Sequence, residues 1–364
     1  MGIFGFKSTA MAGGLYFGPP AWRVHVWPHL PEIQPPPAVP HETPVDRQSL
    51  RDLLAVICPH ATAHWTPALQ QSLAQLNDQS CSRLVLNLIP EQPESQLHVG
   101  LTHFAMPEMA AGLALAADCL KPRQVVVAVN KHDSFMVNAW RKESTEKNYQ
   151  LAAVVDRYPQ SHPLLLLRAV CLPRLRAGDC PMDSGVVCLD AVTCWVLGYW
   201  YIHRIGPAAR PLELFSDGAE PGVAYIRPSE FIGDILDRAG IPWQGRQCVV
   251  NGMLTGMQVD PATATAHWDT SCISVRDIPA AEPEHDCIRC GWCVSVCPTA
   301  LNPLALYSRI KPDYPPIGLQ EADACIQCGL CSYVCPSRIP LAAGIAQLTQ
   351  PAAVSPPVKS EARP

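Results

Sequence analysis

The chain has 364 residues, enough for roughly two to four domains, with 48% hydrophobic residues and a formal net charge of −5 at pH 7. Charged residues make up only 16% and no run of one sign is long, which excludes a concentrated basic face for nucleic acid. Two anomalies stand out: 38 prolines and 17 cysteines, eight of the latter between Cys287 and Cys335.

Residues 1–45 are rich in Gly, Pro and aromatics, and Pro35, Pro36, Pro37 and Pro40 predict an extended connector. The first twenty residues hold one lysine and no small-residue cleavage site, so no secretory leader is read there. Reduced thiols and a cytoplasmic location, peripheral at the inner membrane face if docked, are the expectation. Periodicity begins at Asp46, a candidate N-cap for a helix reaching Val56. Helix-like 67–76 precedes a buried-strand run at 83–89. A long Ala/Leu/Met helix follows at 105–120, then an apolar strand at 125–129. Helix 134–146, strand 151–155 and the apolar run 164–170 come next, before a strand–helix pair at 186–189 and 191–202. The run 185–202 is apolar except for Asp190. A carboxylate in mid-span is costly in lipid, so a buried strand and helix explain it better than a membrane span. Apolar strands alternating with helices predict a parallel sheet covered on both faces over 46–206.

From Pro211 the texture changes. Strand 213–215, a turn at Asp217-Gly218, strand 223–226, helix 228–239 and strand 247–250 predict a small α+β unit within 207–279. Residues 280–284 link it to the cysteine segment, and 350–364 hold no core-forming residues and are expected to be disordered.

Cys287, Cys290, Cys293 and Cys297 are followed by Pro298, and Cys325, Cys328, Cys331 and Cys335 by Pro336. Both runs obey C-x2-C-x2-C-x3-C-P, the bacterial two-cluster ferredoxin spacing. Two-residue gaps let one tight loop offer three thiolates to a cubane. Gly291 and Gly329 free that loop's backbone to turn its N–H groups toward sulfur. In two-cluster proteins the fourth cysteine serves the other cluster. Cluster I would take Cys287, Cys290, Cys293 and Cys335, and cluster II Cys325, Cys328, Cys331 and Cys297. Paired C-x2-C could also bind zinc, but zinc has no use for third and fourth thiols before a proline, twice in register. Two oxidised [4Fe-4S] clusters, each formally 2−, would bring the net charge from −5 to about −9. Pro303 opens a helix candidate at 304–310 and 341–348 is another, so the motifs are expected between helices. Trp292 and Tyr333 lie inside the loops, where an aromatic can shield a cluster from water.

In these motifs and their order the chain resembles the C subunit of the Rnf electron-transport complex. Relatives of that family are the cobalamin reductase of propanediol-utilising microcompartments and the flavin- and NADH-binding subunit of respiratory complex I. Arg157-Tyr158-Pro159-Gln160 resembles the family's K-Y-P-Q, and 183–192 its D-x-G-V-V-x-x-N-V. Pro221-Gly222-Val223 resembles P-G-N-V, and Val250, Asn251, Gly252, Met253 and Met257 resemble G-G-P-M-x-G-M. The run 331–340 is nearly verbatim. The resemblance implies a multidomain α/β fold: a Rossmann-like parallel-sheet domain, a small β-grasp (soluble-ligand-binding) domain and a C-terminal α-helical ferredoxin domain at 280–349. It also implies redox protein partners, among them a membrane-bound electron-transport complex.

The departures shape the functional expectation. The family binds FMN and NADH through a glycine-rich G-x-G-G-A-G-F-P loop, but 57–67 here holds no glycine. The family's N-G-A-E-C-E-P turn becomes 87–93, keeping only Asn87, Glu91 and Pro93, and 157–164 loses the glycine and acid of K-Y-P-Q-G-A-E-K. Gly13-Gly14 resembles the family's amino-terminal G-G-I-H-P-P rather than a nucleotide loop. An electron-transfer protein with two [4Fe-4S] clusters and a 46–206 domain whose FMN/NADH site is eroded is therefore expected, with no catalytic residue and no flavin ligand assigned. The alternatives are a flavin-dependent NADH or cobalamin reductase using the clusters as its exit wire, and a docking scaffold. Cys58, His60 and His64 are a weak metal candidate, read as a surface loop. Cys171, Cys180, Cys188, Cys194, Cys248 and Cys272 read as small hydrophobes. Lys131, His132 and Asp133 follow a strand at its carboxyl end and read as a solvated loop.

Overall fold

The computed structural model describes residues 42–57, 69–76, 80–155, 157–176, 179–206, 209–217, 222–227, 229–267, 269–278, 283–311 and 322–349. The chain forms two compact units, Met1–Pro279 and Ala280–Pro364.

In the first unit, β1 (Arg83–Leu88), β2 (Gln124–Asn130), β3 (Gln150–Val154) and β4 (Val186–Asp190) form a sheet ordered β3-β2-β1-β4. Every pairing is parallel, with Asn87 in register with Ala128 on one side and Asp190 on the other. Leu84, Val85, Leu86, Val126, Val127, Val187 and Leu189 are buried, as continuous apolar runs in a doubly covered sheet require. Around the sheet lie α1 (Arg47–Ile57), α2 (Leu69–Gln75), α3 (Leu97–Phe104), α4 (Met106–Leu120), α5 (Ser134–Lys147), α6 (Pro163–Val170) and α7 (Ala191–His203). Capping explains several boundaries. Asp46 Oδ1 accepts from the Ser49 amide at 2.8 Å. Asp133 caps α5 by accepting from the Met136 amide at 2.9 Å, and Asp190 caps α7 by accepting from Thr193 at 2.9 Å. Asp190, the charge inside the apolar run, is thus a helix cap. Among the described residues no helix is long and apolar enough to cross a membrane.

The expected helix at 105–120 is α4, but it is preceded by α3, which the sequence pattern does not predict. Gln96, at the α3 N-cap position, makes no side-chain cap bond, so the local start signal is missing.

A second sheet in the same unit contains β5 (Arg210–Ser216), β6 (Gly222–Ile226), β7 (Gln247–Val250), β8 (Met257–Val259) and β9 (Cys272–Arg276), ordered β6-β5-β9-β7-β8. β9 runs parallel to β5 and antiparallel to β7. The helix α8 (Ile232–Arg238) buries Ile232, Ile235 and Leu236 in a core with Leu212, Leu214, Ile273 and Val275. It starts later than expected because Phe231 is bridged to Thr265. β8 and β9 are likewise absent from the sequence-based expectation. β9 is short and carries Ser274 at a buried position, which hides its core-strand character.

The second unit has α9 (Trp292–Ser295), α10 (Pro303–Tyr307), α11 (Leu330–Tyr333) and α12 (Leu341–Thr349), and no strand among its described residues. Asn302 caps α10 by accepting from the Ala305 amide at 3.1 Å. Gly344 of α12 lets the Tyr307 ring pack on bare backbone, since a Cβ there would lie 2.4 Å from the ring.

Candidate functional site

The two cysteine motifs fold alike. Gly291 at φ 77° opens α9 and Gly329 at φ 78° opens α11. Left-handed residues recur two places before each glycine, at Arg289 (φ 55°) and Gln327 (φ 53°). They recur again three places after each final cysteine, at Ala300 (φ 58°) and Arg338 (φ 57°). These turns aim amides at sulfur. Arg289 N–H donates to Cys287 Sγ and Gln327 N–H to Cys325 Sγ, both at 3.4 Å, and Leu301 N–H to Cys297 Sγ at 3.3 Å. Backbone strain at the glycines is avoided only because they lack a Cβ.

The thiols influence one another in two sets. Burial raises the Cys293 thiol above its ordinary range, and Cys290, Cys335 and Cys287 add to the rise. Burial pushes Cys331 up to about 12, with Cys328, Cys325 and Cys297 adding to it. Cys328 rises to about 11, again from burial, then Cys297 and Cys325. Each closing cysteine therefore lies among the thiols of the other motif. Cys287, Cys293, Cys331 and Cys335 pack against the buried Tyr307, Ile339 and Leu341, and Cys297 and Cys325 against Leu301, Leu306, Ala322 and Ile345. Among the described residues no three His, Cys, Asp or Glu side chains could hold one metal ion; a cubane instead gives each of four thiolates its own iron.

The two loops differ in exposure. Ile288 is 68% exposed and Cys290 is exposed, whereas Ile326 is 9% and Cys328 8% exposed. Trp292 and Tyr333, the aromatics inside the loops, are 56% and 44% exposed.

In the first unit, segments that resemble the Rnf-type family come together at the carboxyl ends of β1 and β4, where the strand order reverses. Such a switch point is where α/β sheets bind ligands. Asn87 Nδ2 donates to the Ser161 carbonyl at 2.9 Å, and Asn87 Oδ1 accepts from Ile89 N–H. Gln92 Nε2 donates to the Asn251 carbonyl at 3.2 Å and to Thr255 Oγ1 at 3.3 Å. The Gln92 amide rests on Gly252 (φ 92°), where a Cβ would come within 2.3 Å of its oxygen. Arg276 pairs with Glu94 at 2.9 Å. The turn that resembles a flavin-site turn is thus sewn to the five-stranded sheet.

The cavity left there is about 60 Å³ and is lined by Asn87, Gln92, His98, Asp190, Arg210 and Glu213 among others. The last carboxylate, from β5, accepts from the Gln96 amide at 2.5 Å. Burial pushes its carboxyl up to about 7, against the Ser95 hydroxyl and the Gln96 and Leu97 amides, which favour the charged form. Burial pushes His98 down to about 4. Neither residue stands out as a site residue in the sequence; a lone carboxylate inside the apolar strand β5 was the available signal.

Of the other candidates, Lys131 and His132 are exposed while Asp133 is buried as the α5 cap. Cys188, Cys194, Cys248 and Cys272 are buried, with their thiols raised by burial; Cys171 and Cys180 are partly buried. Cys58, His60, His64, Gly13, Gly14 and the glycine-free run after Ile57 lie outside the described residues.

Residues 286–339 match the family model described as a 4Fe-4S dicluster domain. The chain is 24% identical over 230 residues to the C subunit of the ion-translocating oxidoreductase complex of Salmonella typhimurium, covering 62% of this chain and 31% of that protein. To the corresponding C subunit of Pseudomonas aeruginosa it is 26% identical over 240 residues, 60% of this chain and 30% of that one. The chain thus spans about a third of the length of these curated relatives. Crystal structures of an NAD+-reducing [NiFe]-hydrogenase, air-oxidised and H2-reduced, share the fold. Both have a TM-score of 0.53, at 15% and 16% identity, with 83% of this chain and 57% of that chain covered. This iron–sulfur chain, with its 4Fe-4S dicluster domain, is similar to the C subunit of the ion-translocating oxidoreductase (Rnf) complexes.

Proposed function

We propose that this chain relays electrons through two [4Fe-4S] clusters, one held by Cys287, Cys290, Cys293 and Cys335 and the other by Cys325, Cys328, Cys331 and Cys297. The observation that carries the reading is the doubled loop in which each closing cysteine is an electrostatic neighbour of the opposite motif's thiols. A cubane supplies one-electron chemistry, with about four irons and four sulfides each. The chain's own residues do the rest. The loop amides favour the charged sulfurs, the glycines let those amides turn inward, and Tyr307, Ile339 and Leu341 keep water from one flank. The exposed Cys290 loop is the natural port for a redox partner. A membrane-bound electron-transport complex, on which this chain sits peripherally, accords with relatives that are components of an ion-translocating oxidoreductase complex.

Domain assignments belong to the same reading: 46–206 as a degenerate flavin/NADH-type α/β domain, 207–279 as a β-grasp domain and 280–349 as a helical ferredoxin domain. The order β6-β5-β9-β7-β8, with α8 between the hairpins, supports the second. The small cavity among the described residues at the switch point supports the reading that no flavin mononucleotide is held there. Drug-sized ligands fill several hundred Å³, the cavity is about 60 Å³, and the turn beside it is bound to the neighbouring sheet. A reductase working through bound flavin is the competing reading.

Anaerobic purification with iron, sulfide and flavin assays, followed by mixing with NADH, tests this. The expected result is cluster bleaching by a chemical reductant but not by NADH. Rapid bleaching by NADH with stoichiometric flavin released on denaturation would restore the reductase.

A further inference from the structure

The two cysteine loops of the second unit repeat one another almost position for position, and they differ in one charge. Cys287-Ile288-Arg289-Cys290 corresponds to Cys325-Ile326-Gln327-Cys328, each with an aspartate just upstream, Asp286 and Asp323. Arg289 and Gln327 share a left-handed backbone, at φ 55° and 53°, and each donates its amide to the first cysteine's Sγ at 3.4 Å. Those amides do not distinguish the loops. The side chains do: an exposed guanidinium, charged at every working pH, occupies the position where the other loop has a neutral amide. The surroundings differ in the same sense, since Ile288 and Cys290 are exposed while Ile326 and Cys328 are buried. Reduction takes a cubane with four thiolates from formally 2− to 3−, so whatever stabilises the added charge raises the potential. Water and a nearby cation do so, and burial among apolar groups does the reverse. The Leu301 amide and the Thr299 hydroxyl, 3.3 and 3.5 Å from Cys297 Sγ, work for the buried cluster. Both are neutral donors, weaker than charged ones, and they are set against a full charge and open solvent on the other side.

We propose that Arg289 sets a redox potential: with the exposure of its loop, it makes the cluster of Cys287, Cys290, Cys293 and Cys335 the higher-potential one, so that an electron entering the chain comes to rest beneath the exposed loop. The inference rests on the two-cluster reading above. Transfer from the buried cluster oxidises it from [4Fe-4S]1+ to [4Fe-4S]2+ and reduces the exposed cluster by the same electron, with no proton moved. A one-electron acceptor protein is then served at the Cys290 loop, downhill from the buried cluster.

Potentiometric titration of the full-length holo-protein, followed by EPR, tests this, with iron and sulfide assayed in every variant. Arg289→Gln is conservative in shape, because glutamine already holds the same φ and the same amide–sulfur bond at position 327. The wild type is expected to show two midpoints. Arg289→Gln should lower the higher midpoint and leave the lower one, Arg289→Lys should keep both, and Gln327→Arg should raise the lower one alone. The Arg289→Gln shift should shrink in about 1 M salt, which screens an exposed charge. With about eight irons per chain, an Arg289→Gln titration that matches the wild type, moves the lower midpoint, or is reproduced by Arg289→Lys overturns the role of Arg289 alone. A single wild-type midpoint at that loading does the same. Iron for only one cluster overturns it together with the two-cluster reading. Should Arg289→Gln fail to hold its clusters, Gln327→Arg decides: a raised lower midpoint supports the proposal and an unmoved one overturns it.

Discussion

Gly112 of α4 and Gly198 of α7 lie back to back. A methyl on Gly112 would sit 1.9 Å from the Cys194 carbonyl oxygen, and one on Gly198 would sit 1.6 Å from the Glu108 carbonyl oxygen. The contact brings Cys194 Sγ within 3.1 Å of the Met109 carbonyl, which it reaches as a donor. It also fixes α7, whose cap Asp190 lines the switch-point cavity.

Gly112→Ala and Gly198→Ala should therefore force the helices apart. Because the clashing atoms are backbone, each should destabilise the protein by about 3 kcal/mol, at the upper end of overpacking costs. Gly100→Ala is the contrast: nothing lies within 4 Å of its added methyl, so it should stabilise by about 0.5–1 kcal/mol through helix propensity and chain entropy. Denaturant midpoints check both directions.

Cys297→Ala should disable the cluster served by Cys325, Cys328 and Cys331, and leave its sequence neighbours Cys287, Cys290 and Cys293 with theirs. EPR of the reduced variant distinguishes the two signals. Loss of the Cys287 signal with the other intact would contradict the proposed exchange of fourth ligands.

Glu213 and His98 should impose opposite pH dependences. Glu213 rises from the ordinary 4.5 to about 7, so the folded state holds its proton more tightly and stability falls as pH rises from about 4.5 to 7. His98 falls from 6.5 to about 4, so the unfolded state takes the proton first and stability rises with pH from about 4 to 6.5. Each amounts to roughly 3 kcal/mol, and Arg210, Asp190, Glu91 and Glu94 face the same cleft or its rim. The wild type should be nearly flat between about pH 4.5 and 6.5. Glu213→Gln should unmask the rising slope and His98→Asn the falling one, read from urea midpoints across that range.

Gly344→Ala should press a methyl into the buried Tyr307 ring, 2.4 Å away. The cost should be about 1–3 kcal/mol, felt where α10 and α12 pack beside the cysteine loops. Visible cluster absorbance should decay faster in air than in the wild type; an unchanged decay would mean that this packing does not protect the clusters.

The cysteine spacing was legible because cluster chemistry is local: two-residue gaps, a glycine and a proline encode a loop whatever surrounds it. The parallel strands were legible for a related reason, since a strand buried on both faces must be apolar throughout, as Leu84–Leu86 and Val125–Val129 are. What the chain order could not reveal is whatever depends on residues far apart. The helix α3 starts at Gln96 without a cap of its own because the cap is Glu213, 117 positions later. β9 takes its central place only through β5 and β7 on either side. The turn at Asn87–Pro93 showed in sequence as a departure from the motif it resembles, but that Gln92 is held by Asn251 and Thr255, and the adjoining Glu94 by Arg276, was decided by tertiary structure. A hydrogen bond between distant residues leaves no periodicity in either segment, and burial, which moves Glu213 and His98 in opposite directions, is a property of the packed molecule alone.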